Sequence, residues 1–476
     1  MSAIRTPGEP SAPAERALAK LVHVPTVAED FAARVDAAGY ELYLVGGTVR
    51  DGLLGRQHSD LDFAISCVPE ETERLLRGWA EHIWLTGARF GTVSAAKGGC
   101  TLEVTTFRTE AYAPGSRHPQ VAYAGDIEGD LSRRDFTVNA MAIQLPQRRF
   151  VDPFGGLRDL RDGVLRTPIE PEQSFADDPL RMVRMARFAS VLGAEVDDDA
   201  RKAAAAMADR LDSVSPERIR AELDKLLVGR FPARGLNLLC DTELADRFLP
   251  ELGTLRMERD PLHHHKDVYA HTLAVVEGCP PDPVLRLAAL LHDIGKPATR
   301  AFQPDGKVTF HHHEVVGARM ARARLKALRY PNGVIDQVSD LVFLHLRFHG
   351  YGDDEWTDSA VRRYVRDAGS EVQLRRLNLL TRADVTTRNR ARARRLARAM
   401  DALEARIATL AEQEEMAAIK PGLDGNAIMA HLGLRPGPLV GKARAALLEA
   451  RLDRGPMTEQ ECYELLDAWA AEHLPR

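Results

Sequence analysis

Short apolar runs and glycines alternate between residues 40 and 145. YELYLVGG, DLDFAIS, FGTVSAA, LEVTTFR and NAMAIQL each read as a strand, most of them largely buried. Near Phe175 the pattern changes to a helical period, rich in Ala and Arg, that holds almost to the end. ELGTLRMERDPLHHH, over 251–265, is rich in breakers and interrupts it. A further boundary falls near 400, before LARAMDALEARIATLAEQEEMAA, and no repeat of fixed period is visible. The pattern predicts an α+β chain in which a small head of mixed sheet and helices precedes a long all-α body.

Composition narrows this. The 476 residues suggest three or four domains of roughly 100–200 residues each. With 45% hydrophobic and 28% charged residues the chain can build packed cores. The net charge is −5, so a nucleic-acid surface must be a local patch. Five scattered cysteines fit a reducing cytoplasm without disulfides or a thiolate zinc site. The opening MSAIRTPGEPSAPAER is rich in Pro and Ala and has no apolar run long enough for a signal peptide; residues 1–21 are expected to be a disordered tail. No stretch is long enough to span a membrane, so a cytoplasmic protein without a membrane partner is expected.

GGTVRDGLLGRQHSDLDFAI, from Gly46 to Ile65, carries the first chemistry. YLVGG is a strand ending in a glycine turn, where backbone N–H groups at Gly46 and Gly47 can meet a phosphate. Arg50 follows at a helix start and adds a guanidinium. Asp60 and Asp62 alternate on the next strand, so both carboxylates face one side. Two hard oxygen ligands on one face suit Mg²⁺, and Glu103 in LEVTTF is a candidate third acid. A bare glycine turn with two surface aspartates is the competing reading, and the combination at this spacing makes it improbable.

These residues resemble the head signature of the polymerase-β-like nucleotidyltransferases, and more closely the bacterial class II CCA-adding tRNA nucleotidyltransferases. Four further segments agree: DLSRRDFTVNAMAI (130–143), DPFGGLRDLRDGVLRTP (152–168), DDPLRMVRMARF (177–188) and SPERIRAELDKLL (215–227). The family usually has Glu-Asp where this chain has Asp177-Asp178. The resemblance implies that Gly47, Arg50, Arg134, Arg184 and Arg187 contact the nucleotide and that Asp60 and Asp62 hold two Mg²⁺ ions. It implies addition of C, C and A to the tRNA 3′ end from CTP and ATP, with release of pyrophosphate and no nucleic-acid template.

DDPLRMVRMARF places Asp178 and Arg181 at i and i+3, one above the other on a helix face. Such pairs are usually plain ion pairs. Cytosine and adenine, however, both present an amine donor beside a ring-nitrogen acceptor. A carboxylate and a guanidinium match that edge, whereas uracil and guanine reverse it and leave polar groups unpaired.

The second half is rich in histidine. His271, His292-Asp293 in LAALLHDIGKP, His313, His345 and Asp384 form the order H…HD…H…H…D, which resembles the HD-superfamily phosphohydrolases. Imidazoles and carboxylates on separate helices suit one or two divalent transition metals. The competing reading is a structural helical domain with vestigial ligands. Arg-dense segments at 362–366 and 388–398 fit either a phosphate-tracking surface or a solvated helix. GLRPGPLVGKA, over 433–443, is a Gly-Pro turn opening a helix.

The expected organisation is a tail at 1–21, the head at 22–165, a nucleotide-recognition neck and RNA-binding region at 166–255, an HD metal domain at 256–390 and a helical tail at 391–476. A bacterial poly(A) polymerase is the nearest alternative, although LTGARFGTVSAA lacks that sister family's basic run. A-only or CC-only addition is another, with FRTEAYAPGSRHPQ arguing against the CC-only form. An RNA-binding protein without catalysis leaves Asp60, Asp62 and the glycine turn unexplained. The sequence does not report the oligomeric state.

Overall fold

A computed structural model describes residues 18–56, 60–111, 120–123, 125–256, 267–304, 308–348, 356–386, 389–414 and 422–474, with β6 and β7 below described as backbone only. The chain forms two compact units, Met1–Phe248 and Leu249–Arg476.

The first unit opens with helix α1 (Thr26–Ala37) and a seven-stranded mixed sheet. Its strands are β1 (Leu42–Val45), β2 (Asp60–Ile65), β3 (His82–Trp84), β4 (Thr92–Lys97), β5 (Cys100–Thr106), β8 (Ala142–Leu145) and β9 (Arg149–Val151), in the order β3-β4-β5-β2-β1-β8-β9. A separate hairpin pairs β6 (Arg108–Ala111) with β7 (Gln120–Tyr123). The continuous apolar run of β1 follows from burial on both faces: Leu42 and Leu44 enter one core with Phe31, Phe63 and Val104, while Tyr43 and Val45 enter another with Phe107 and Leu131. Ala19 and Val22, near the start of the described chain, are buried in the first of these cores.

Strand β2 is parallel to β5 and antiparallel to β1, and the parallel register sets Asp62 beside Glu103. Helix α2 (Gly47–Leu53) follows β1 through the glycine turn. The neck supplies α3 (Pro171–Asp177), α4 (Leu180–Leu192), α5 (Pro216–Leu227) and α6 (Pro232–Asp241), with α4 packed on both α5 and α6.

The second unit is almost entirely helical. It contains α7 (Val268–Gly278), α8 (Pro283–Leu291), α9 (His313–Ala327), α10 (Asn332–Leu344), α11 (Asp358–Ala368), α12 (Glu371–Asp384) and α13 (Arg390–Glu414). Three last helices, α14 (Gly425–Leu432), α15 (Pro438–Arg454) and α16 (Glu459–His473), share a small core around Ile428, Leu447 and Leu466. Among the described residues, no helix is long and apolar enough to cross a membrane.

Candidate functional site

Gly46 has φ +67°, a conformation that glycine adopts without strain. A Cβ there would lie 2.8 Å from Arg134 Nη1, the end of a flexible side chain that can move aside, so the positive φ and not space is what calls for glycine. Thr48, just inside α2, accepts the Asp62 N–H at 3.2 Å and ties the turn to β2. Asp62 is half-buried and Asp60 exposed at the strand's edge.

The turn, Asp62 and Glu103 share a cleft of about 1990 Å³ with the neck residues Asp178, Arg181, Arg184 and Arg187. A typical small-molecule pocket is roughly 300–1,000 Å³, so this one has room for more than a nucleotide. Ten arginine or lysine side chains and six carboxylates line it, a surplus of positive charge suited to a polyanion.

A buried polar chain runs through this cleft. Arg50 holds Asp51 through two hydrogen bonds, at 2.9 and 2.7 Å, and donates to Asn139 Oδ1 at 2.5 Å. Asn139 donates to Asp135 Oδ1 at 2.8 Å, and Arg184 Nε donates to Asp135 Oδ2 at 2.8 Å. Glu222 on α5 then contacts Arg184 at 3.7 Å and Arg187 at 3.1 Å, the latter without hydrogen-bond geometry. Burial would raise the Asp135 carboxyl, but Arg184 and the Asn139 hydrogen bond outweigh it and bring it down to about 2. Burial, helped by Arg184, pushes Arg187 down to about 10, still a cation at neutral pH. Arg134 pairs with Asp130 at 3.0 Å, while the adjacent Asp135 is turned inward to Arg184.

The expected stacking of Asp178 and Arg181 on one helix face is not what forms. Asp178 precedes a proline, which disfavours the α conformation, and it is extended with φ −145° and ψ 101°. Helix α4 therefore starts after it. Asp178 accepts from Leu180 N at 3.1 Å and from Arg218 Nη2 at 2.8 Å. Arg181 is buried and donates to the Ser174 hydroxyl at 2.9 Å, the Ser174 carbonyl at 3.2 Å and the Arg133 carbonyl.

In the second unit the six expected residues meet. Asp293 Oδ2 lies 3.5 Å from His271 Nε2 and 3.2 Å from His292 Nε2, while its Oδ1 lies 3.3 Å from His313 Nε2 and 4.0 Å from His345 Nε2. Asp384 Oδ1 is 2.9 Å from His271 Nε2. Every imidazole is oriented through Nδ1: His292 to the Ala289 carbonyl at 2.8 Å, His313 to Phe310 at 2.8 Å, His345 to Val342 at 2.6 Å, and His271 to the Thr386 hydroxyl at 2.7 Å. The Nε2 atoms of His313 and His345 are buried and have no hydrogen-bond partner, as metal-directed lone pairs would be. His271, His292 and Asp293 form one group able to hold a metal, and Asp293, His313 and His345 form another. Burial pushes His345 down to about 3, so the imidazole is neutral at physiological pH. Burial alone would raise Asp384, but the His271 hydrogen bond and the His292 charge hold it well below the usual carboxylate range.

Family models match in the same order along the chain: the poly A polymerase head domain at 42–166, the "probable RNA and SrmB-binding site of polymerase A" at 193–255, and the HD domain at 268–417. The A-adding tRNA nucleotidyltransferase of Deinococcus radiodurans is 35% identical over 443 residues, covering 90% of this chain and 95% of that protein. The chain belongs to the tRNA nucleotidyltransferase family. The CCA-adding enzyme of Geobacillus thermodenitrificans is 41% identical over 216 residues, 45% of this chain and 52% of that relative, so the match spans about half of it. The CTP complex of the Bacillus stearothermophilus CCA-adding enzyme has TM-score 0.71 at 27% identity, covering 94% of this chain and 98% of that one.

Several nucleotidyltransferase residues escaped the sequence reading. Asp135, Asn139 and Glu222 all lie in segments quoted above, but burial alone separates them from surface residues. Asp135 and Asn139 at i and i+4 was the one local signal. Ser174, Arg218 and Thr386 gave none. The HHH at 263–265, part of FRTEAYAPGSRHPQ and residues 387–388 lie outside the described residues. The 362–366 arginines do not form a free surface: Arg362 donates to the Leu452 carbonyl, and Arg363 and Arg366 pair with Glu449.

Proposed function

We propose that the protein adds C, C and A to the 3′ end of tRNA, taking CTP and ATP without a template. The observation that carries this is one cationic cleft shared by the glycine turn, Asp62, and the neck residues Asp178 and Arg181. In the reaction the primer 3′-oxygen bonds to the α-phosphorus, the bond to the bridging oxygen of the β-phosphate breaks, and pyrophosphate leaves. The hydroxyl proton passes to solvent. Backbone N–H groups of the turn, with Arg134, hold the triphosphate. Asp60 and Asp62 offer hard oxygen donors with Glu103 alongside, a set that fits Mg²⁺. Bound there, two Mg²⁺ ions supply acidification of the primer hydroxyl and charge neutralisation on the leaving group. Asp178 accepts from the exocyclic amine of cytosine or adenine, and Arg181 donates to the ring nitrogen or carbonyl.

The 443-residue relationship to an A-adding enzyme supports a second reading, addition of the terminal A alone. Incubation with tRNA lacking CCA, tRNA ending in CC, and each NTP singly decides between them. CCA addition extends both primers, with CTP used on the first. An A-only enzyme extends only the CC primer with ATP, and unlimited A addition indicates a poly(A) polymerase.

The second unit is read as a metal-dependent phosphohydrolase. Its six ligands exceed what one open metal site uses, and both oxygens of Asp293 face histidine pairs, which fits two divalent ions. Two such ions supply an activated water and a clamp on a phosphoryl oxygen. The substrate is a terminal or 2′,3′-cyclic phosphate on damaged RNA, since the head needs a free 3′-hydroxyl. Water adds to phosphorus, one P–O bond to the ribose breaks, and the departing oxygen takes a proton.

A further inference from the structure

From Val385 to Met400 the sequence contains six arginines and no carboxylate, in a chain whose net charge is −5. Arg390, Arg394 and Arg398 stand at i, i+4 and i+8 on α13, each about 6 Å further along the axis than the last. All three are exposed. They lie on the side of the helix opposite Leu403 and Leu410, which are each 1% exposed and form its buried face.

Several other arginines of this unit are paired with carboxylates. Arg382 bonds Asp401 at 2.7 Å and Glu404 at 2.8 Å, Arg376 bonds Asp282 at 2.9 Å, and Arg363 bonds Asp453 at 2.8 Å. Among the described residues, no ion pair is made by Arg390, Arg394 or Arg398. Like charges at i,i+4 repel, so this stripe costs the isolated helix stability and gains from an anion laid along it.

Its position relative to the metal cluster gives the stripe a use. Arg382 lies two residues before Asp384, and its bonds to Asp401 and Glu404 fix where α13 passes the end of α12. The turns from Arg390 to Met400 therefore extend beyond that end by about 15 Å. Thr386, which holds His271 at 2.7 Å, is only four residues before Arg390, no more than about 14 Å of chain. The stripe thus lies a short length of chain from the cluster, with Arg398 nearest the end of α12 and Arg390 furthest beyond it.

We propose that this arginine face of α13 holds the phosphate backbone of an RNA strand whose terminal phosphate is delivered to the histidine–aspartate cluster, so that the hydrolytic substrate is an RNA end and not a free nucleotide. This rests on the phosphohydrolase reading of the cluster.

The test compares wild type with the triple variant R390A/R394A/R398A in the full chain, stripped and reloaded with Mn²⁺. The substrates are 2′,3′-cyclic AMP and an RNA hairpin ending in a 2′,3′-cyclic phosphate. The variant is expected to show about a tenfold higher KM on the hairpin and unchanged kcat/KM on the cyclic nucleotide. The slope of log affinity for the hairpin against log salt should fall by about two, at roughly 0.7 per lost phosphate contact. An unchanged hairpin KM and salt slope overturns the proposal and leaves a solvated helix. Where wild type cleaves neither substrate, the phosphohydrolase reading fails separately, and the salt slope alone decides whether the face binds RNA.

Discussion

Asp178 takes its hydrogen bond from Arg218, 40 residues further along the chain, at 2.8 Å, while Arg181 bonds Ser174. The acceptor and donor assigned to the base edge are thus held separately, each by its own partner, and are not neutralised by one another. Both line the same cleft. Asp178→Ala or Arg181→Ala is expected to raise UTP and GTP incorporation relative to CTP and ATP by about 5–150-fold, at about 1–3 kcal/mol per lost base contact. Incorporation of the four NTPs into tRNA primers is the measurement. An unchanged CTP-to-UTP ratio assigns the two residues a structural role only.

Asp60→Ala and Asp62→Ala are each expected to lower nucleotide transfer by at least a thousandfold, because a lost magnesium ligand removes several kcal/mol of transition-state charge stabilisation. Binding of tRNA should stay within a few-fold, since neither side chain belongs to the core. Gel-shift affinity and single-turnover incorporation separate the two effects. Near-normal transfer by either variant removes the assignment.

The Asp135 carboxyl is held at about 2 against an ordinary 3.8, a difference equivalent to about 2 kcal/mol of stabilisation. Since the folded value is the lower one, the unfolded chain takes up the proton first as the pH falls. The contribution is complete above the unfolded value near 4 and is lost as the pH falls through about 2. The stability gap between wild type and D135N should therefore narrow by about 1 kcal/mol between pH 7 and pH 3. Urea melts of both proteins at the two pH values measure it, and an equal gap places the energy elsewhere.

His292→Ala and Asp293→Ala are expected to reduce bound divalent metal below one equivalent per chain and to abolish cleavage of 2′,3′-cyclic nucleotides. Nucleotide addition to tRNA should remain within twofold, because these side chains lie in the other compact unit. Metal analysis and the two assays on the same preparations check this. Failure of wild type to retain any stoichiometric metal removes the ligand roles of all six residues.

Some of this was legible in the residues because it depends on local spacing. The alternation of Asp60 and Asp62 and the glycine turn before them need only a strand period and backbone sterics, and β2 and α2 form where the pattern places them. The H…HD…H…H…D order suggests a ligand set through residue chemistry, and those six side chains meet in the fold. Glu103 was legible as an acid on a strand, but its place beside Asp62 depends on a parallel register that no local signal encodes.

The partners of Asp178 and Arg181 show where local reasoning stops. Helical spacing paired them, but Pro179 holds Asp178 out of the helix, and α5 then brings Arg218 to it. The same holds for Asp135, whose bond to Arg184 joins residues 49 positions apart. By itself the sequence determined the elements, the family and the residue types at each centre, because propensity, periodicity and ligand chemistry act over a few residues. Only the tertiary structure decided which charged groups pair, since burial removes water as the competing partner and the nearest buried counter-charge comes from whichever element the core packs alongside.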